Sequence, residues 1–230
     1  MSKERKELQR ARMFRYFLDA ATDVIEEDGI EHMTIRKIAD RAGFTASTAY
    51  NYFKDLSHLK FFAAMRFTSE YVKELPSYMD LGTNIVDKWL YSWECFCKHS
   101  FEEPEIYSVI FMDNLGSSPQ QLFDDYYALH THDLTGVPEE LHAILIEYDF
   151  SKRSALYIQD AVTEGYIKKE NVPLIADITL MVWKGMMNTY MNRRRGYSKE
   201  EAIKRTLELV AECVISVVEP ERRSEITFRP

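Results

Sequence analysis

The 230-residue sequence predicts an all-α protein of about nine or ten helices, with a small N-terminal three-helix unit ahead of a larger helical body. Three observations point there. Apolar residues recur at helical spacing almost throughout, no segment shows convincing strand alternation, and only seven prolines and eight glycines interrupt the pattern. There is no internal repeat and no low-complexity linker.

In chain order, Phe14, Phe17, Leu18, Ala21, Val24 and Ile25 form the stripe of a first helix over 12–28, which Gly29 should end. Thr34 can cap a short helix through Arg41, whose inner face is Ile38, Ala39 and Ala42. Gly43 permits the left-handed turn that ends it, and Phe44 is the apolar plug after the turn. Thr45 can cap a second short helix over 46–53, with Ala49 and Phe53 inward. Further helices are expected near 56–75, 84–100, 104–114, 119–133, 138–148, 151–166 and 173–194. Pro104, Gly116 with Pro119, Gly136 with Pro138, Pro173 and Gly196 mark the breaks. The last helix, 199–218, carries Ile203, Leu207, Val210, Val214 and Val217 and starts with a capping box, Ser198 and Glu201.

The net charge of −8 is unevenly divided. Residues 1–60 carry +1, of which residues 1–17 alone carry +4, and the remaining 170 residues carry −9. The pattern is a near-neutral N-terminal unit with a basic arm on an acidic body. No uncharged apolar run approaches the roughly 18 residues of a membrane span. MSKERKELQRAR has no apolar segment behind it, so a cytoplasmic protein is expected and no membrane partner. Cys95, Cys97 and Cys213 are expected to be reduced thiols packed as small apolar groups, with Cys95 and Cys97 on different helix faces. His130-Thr131-His132-Asp133 reads as exposed helix-end residues, because histidines two apart share no face. Arg193, Arg194 and Arg195 suit a helix end, where cations meet the negative end of the dipole. With no Gly-rich phosphate loop, no Gly-x-Ser-x-Gly and no paired histidines at metal spacing, no enzyme, cofactor or metal is expected.

Helix, glycine turn and helix over 34–53 make a helix-turn-helix, with the first helix as third packing partner. Ala46, Ser47, Tyr50 and Asn51 face outward, and small or hydrogen-bonding side chains suit close approach to a base edge or a phosphate. The run Thr34-x-Arg36-x-Ile38-Ala39-x-x-Ala42-Gly43-Phe44-Thr45-x-Ser47-Thr48-Ala49-Tyr50-Asn51-Tyr52-Phe53-Lys54 resembles the DNA-binding signature of the tetracycline-repressor (TetR) family of bacterial transcription regulators. The resemblance covers about residues 10–65. The rest of the chain agrees with the family in length and helical character only.

That resemblance implies a DNA-binding domain over 1–56 and a ligand-binding and dimerisation domain over 57–230. It implies DNA contacts from Thr34 and Arg36, from Thr45, Ala46, Ser47 and Thr48 at the start of the recognition helix, and from Tyr50, Asn51, Tyr52 and Lys54. Two positions depart from the pattern. Ala49 stands where leucine is usual, and Leu56 where members have a lysine that grips a phosphate, so that grip is either missing or passes to Lys54, His58 or Lys60. The resemblance further implies a homodimer on a near-palindromic double-stranded operator, formed by the helices near 173–194 and 199–218, and a small-molecule effector of unknown identity. The effector pocket is expected from Trp93, Phe111, Tyr127, Trp183 and Met187. The expected role is repression relieved by an apolar or amphipathic effector. An effector-independent DNA-associated protein on the same fold is the alternative.

Overall fold

The computed structural model describes residues 3–114 and 118–230. Its contacts group the chain into two compact units, Met1–Thr68 with Glu105–Tyr126, and Ser69–Pro104 with Tyr127–Pro230. Twelve α-helices and no strand occur among the described residues, apart from one isolated antiparallel bridge between Ile167 and Val218.

The first unit contains α1 (Lys3–Asp28), α2 (Ile35–Ala42), α3 (Ala46–Ala49), α4 (Leu56–Arg66), α7 (Pro104–Phe111, from Glu105 on) and α8 (Pro119–Leu129, as far as Tyr126). α1 packs against both α2 and α4. Its core is aromatic. Phe14 stacks on Phe53 at 4.5 Å between ring centroids and meets Phe62 edge-on at 5.2 Å, and Phe61 and Phe62 contact Phe123 and Tyr126. The expected break at Gly116 lies outside the described residues.

The second unit contains α5 (Ser69–Met79), α6 (Ile85–Glu102), α9 (Glu139–Leu145), α10 (Phe150–Thr163), α11 (Val172–Met191) and α12 (Lys199–Val217). α6 is its hub, packed against α5, α10 and α12, while α11 lies against α10 and α12. Trp93, Phe96, Phe150 and Trp183 interlock at the centre, and the Trp183 indole donates to Ser100 Oγ at 3.0 Å. α12 starts with the expected capping box: Glu201 N–H donates to Ser198 Oγ at 3.2 Å, and Ser198 N–H to Glu201 Oε2 at 2.8 Å.

The twelve helices are one more than the eleven segments laid out from the sequence, for a local reason. The single helix expected over 56–75 is two helices. Thr68 donates its hydroxyl back to Met65 O at 2.7 Å, and the Phe67 and Thr68 N–H groups turn to Ala64 O and Met65 O, which tightens the turn and ends α4. α5 then restarts and carries Pro76 in its interior. His132 is exposed and lies on a 3-10 turn over Thr131–Leu134. The arginine run follows the end of α11, where Arg193 adopts a left-handed φ of 51° and the Arg194 N–H caps Thr189 O at 3.2 Å.

Candidate nucleic-acid interface

The site is built from the turn outward. Thr34 Oγ1 accepts the Lys37 N–H at 3.2 Å and so caps α2. At the other end Gly43 adopts φ 77°, and the Phe44 N–H reaches back to Ala39 O at 2.9 Å, closing the left-handed cap that turns the chain into α3. Nothing lies within 4 Å of where a Gly43 Cβ would stand, so the requirement for glycine is one of backbone. Gly43→Ala is expected to lower stability by about 1 kcal/mol, with Gly43→Asn recovering part of the loss, as measured by thermal denaturation.

α3 is one turn long where a helix over 46–53 was expected, because the N–H groups of Asn51 and Tyr52 bond three residues back to Thr48 O and Ala49 O. Thr45 sits at the N-cap, yet its hydroxyl does not cap the backbone. It bonds Ser47 Oγ at 2.8 Å and Thr48 Oγ1 at 3.0 Å instead. Three hydroxyls are thereby gathered at the start of the helix. Ala49 and Phe53 are buried as the inner face.

None of the ten sequence-named DNA residues is buried. Thr34, Arg36, Thr45, Ser47, Tyr50, Asn51 and Lys54 are exposed, and Ala46, Thr48 and Tyr52 are intermediate. The Arg36 side chain stands 90% exposed, with only a loose 3.9 Å approach to Asp40. The Tyr52 ring leans on Phe17 at 5.8 Å, whereas Tyr50 projects outward.

Two nearby cations have structural work. Lys37 Nζ donates to Asp28 Oδ2 at 3.0 Å, and Arg41 forks onto both oxygens of Glu27, so α2 is tied to α1. Hydrogen bonds from these cations hold both carboxyls below their ordinary range. Arg66 likewise ties α4 to Asp19 at 2.7 Å. His58 is drawn inward against Phe53 and Phe62, and burial keeps its pKa below the ordinary value despite Asp55. A half-buried imidazole with a lowered pKa is a poor stand-in for a lysine beside Leu56.

The five sequence-named pocket residues are all buried. Trp93 lines a slit of about 10 Å³ in the second unit with Tyr71, Phe96, Phe150, Arg153 and Tyr157. Trp183 packs on Phe96 and Phe150, and Met187 is fully buried in α11. Phe111 belongs to the first unit, where it contacts Tyr107 and Phe123. Burial raises the Tyr127 phenol to about 12. Tyr157 Oη is buried beside the Tyr71 phenol but meets no partner in hydrogen-bond geometry. A larger cleft of about 350 Å³ is lined by another set, including Pro76, Met79, Ile85, Leu141, Leu156 and Tyr157.

Comparison with known proteins agrees with this geometry. Residues 17–59 match the bacterial regulatory proteins of the tetR family. No curated protein matches the chain. RolR in complex with resorcinol superposes with a TM-score of 0.61 at 14% identity, covering 97% of this chain and 96% of that one. Thermus thermophilus FadR in complex with lauroyl-CoA gives 0.58 at 12% identity, covering 87% and 94%. The fatty acid degradation regulator FadR from Bacillus halodurans gives 0.52 at 16% identity, covering 86% and 94%. At these identities the likeness is one of fold.

Proposed function

We propose that this chain, whose residues 17–59 place it among the bacterial regulatory proteins of the tetR family, is a ligand-responsive transcriptional repressor acting in the cytoplasm. Residues 1–56 read a near-palindromic operator, and residues 57–230 bind the effector and form the homodimer. The observation that carries the reading is the outward face of the turn and α3: a hydroxyl cluster at Thr45, Ser47 and Thr48, flanked by exposed Arg36, Tyr50 and Asn51. Hydroxyls and Asn51 suit base edges and phosphates, and Arg36 suits a guanine. α3 carries no Lys or Arg, so Arg36, Lys54 and the basic start of α1 supply the charge.

Support for a dimer comes from α11, which leaves Leu174, Ile178 and Met181 exposed at i, i+4 and i+7. Two copies set one DNA turn apart, roughly 34–36 Å, would read two half-sites. A small apolar or amphipathic effector would favour the conformation with wrongly spaced recognition helices, with a coupling of about 1–3 kcal/mol. RolR and FadR, of the same fold, are seen with resorcinol and lauroyl-CoA. A second reading, DNA binding without an effector, is favoured by the nearly closed slit at Trp93.

Gel shift with promoter DNA from the native locus tests the reading at stated salt. Wild type is expected to bind, with affinity falling steeply as salt rises. Tyr50→Ala should weaken binding by about 1 kcal/mol while leaving the fold intact. Failure of the folded protein to bind at low salt would overturn the proposal.

A further inference from the structure

Away from the turn, one side-chain cluster has no role in DNA reading. Cys95 and His99 are four residues apart on α6, so they share a face, and Glu74 of α5 stands opposite. One donor atom from each, the Sγ, a ring nitrogen and a carboxylate oxygen, lies within 4.8 Å of the other two. His99 Nε2 is 3.0 Å from Glu74 Oε2, and Lys98 Nζ meets that same oxygen at 2.7 Å. Cys95 is buried, while His99 and Glu74 are half-buried, so the thiol forms the floor of a cluster reachable from the surface.

We propose that Glu74, Cys95 and His99 form a binding site for one divalent transition-metal ion of the Zn²⁺ class. The donor set is mixed sulfur, nitrogen and oxygen. Zn²⁺ takes thiolate at about 2.3 Å, imidazole at about 2.0–2.1 Å and carboxylate at about 2.0–2.2 Å, with ligands at tetrahedral corners. Those bond lengths set donors about 3.3–3.7 Å apart. The three donors already lie within 4.8 Å of one another. Three protein ligands leave the fourth corner to water, the pattern of an open site. Mg²⁺ and Ca²⁺ are disfavoured, because the cluster offers them a single hard carboxylate.

Binding has a defined proton balance. In the metal-free chain the buried Cys95 thiol donates its S–H to Tyr71 O at 3.9 Å. Coordination forms the metal–sulfur bond and sends that proton to solvent. His99 would give the metal an Nε2 lone pair, and Lys98 would be displaced from Glu74 Oε2 while keeping its charge. The ion would pin α5 to α6, the hub of the second unit, and raise thermal stability. The site is independent of the DNA-binding reading.

Co²⁺ titration of the full chain, stripped with a chelator, tests the proposal. Wild type should show a thiolate-to-cobalt charge-transfer band with visible bands of low-symmetry Co²⁺, saturating at one equivalent and reversed by Zn²⁺. Cys95→Ser should abolish the charge-transfer band. Glu74→Gln and His99→Gln, at the accessible rim, should each weaken binding about tenfold or more, and Cys213→Ser should change nothing. Absence of the sulfur band in folded wild type, its survival in Cys95→Ser, or wild-type affinity in both rim variants would overturn the assignment.

Discussion

A chain carrying Ile178→Asp and Met181→Glu together is expected to be monomeric and to bind operator DNA about 10²-fold more weakly than wild type. Ile178 is 39% exposed and Met181 64%, and Leu174, one turn before them, is 57% exposed. Three large apolar side chains on one helical face, all outward, are what a symmetric interface requires, since each copy can cover the other's stripe. α12 offers less, because Leu207, Val210 and Val214 turn inward and only Ile203 and Val217 of its stripe are half-exposed. The two new carboxylates would remain solvated in the monomer but face their copies across the interface in a dimer, where like charges repel. The fold should survive, because both positions lie at the surface. Light scattering coupled to size exclusion reads the mass, and gel shift reads the affinity. A dimer that persists in the double variant would move the interface elsewhere.

Asp87→Ala is expected to cost about 3 kcal/mol or more, a fall in Tm of roughly 6–12 °C, and to open the C-terminal tail to protease. Asp87 is fully buried at the start of α6. Its carboxylate accepts the Thr227 N–H at 3.1 Å, the Phe228 N–H at 3.1 Å, the Thr227 hydroxyl at 2.6 Å and the Asn84 amide at 3.0 Å. The first turn of a helix favours an anion, so a buried carboxylate is tolerated there. Removing it strands the tail donors away from water. They recover partners only if residues 226–229 peel off, which exposes Ile226 and the Phe228 ring now packed edge-on to Tyr91 at 4.9 Å. Asp87→Asn should fall between, since one amide oxygen can still accept. The turn ahead of α6 leaves little room for adjustment: a Cβ on Gly82 would stand 2.4 Å from the Lys88 nitrogen.

Much of the local structure was legible because it depends on neighbours in sequence. The Thr34 cap, the left-handed Gly43, the buried Ala49 and Phe53, the end of α1 before Gly29 and the Ser198–Glu201 box all follow from short-range chemistry. The break at Thr68 did not show, because apolar spacing runs through it and one hydroxyl decides it. At the interface the residue types were readable, but not which cations are engaged. Lys37 and Arg41 look as available as Arg36 until α2 is laid beside α1. The i, i+4 spacing of Cys95 and His99 is visible in the sequence, yet it gains meaning only when α5 brings Glu74 against it.

By itself, then, the sequence determined the helical class, the helix-turn-helix register and the small, hydroxyl-rich face of α3. Tertiary structure alone decided that His58 turns inward, that Trp93 lines a slit of about 10 Å³, that α11 leaves an apolar stripe uncovered, and that an ordinary-looking helix-start aspartate holds the tail. The physical reason is range. Caps, turns and periodicity are fixed by groups within a few residues of one another, whereas burial, ion pairing and cavity volume depend on which distant surface arrives, and no local pattern in the chain encodes that.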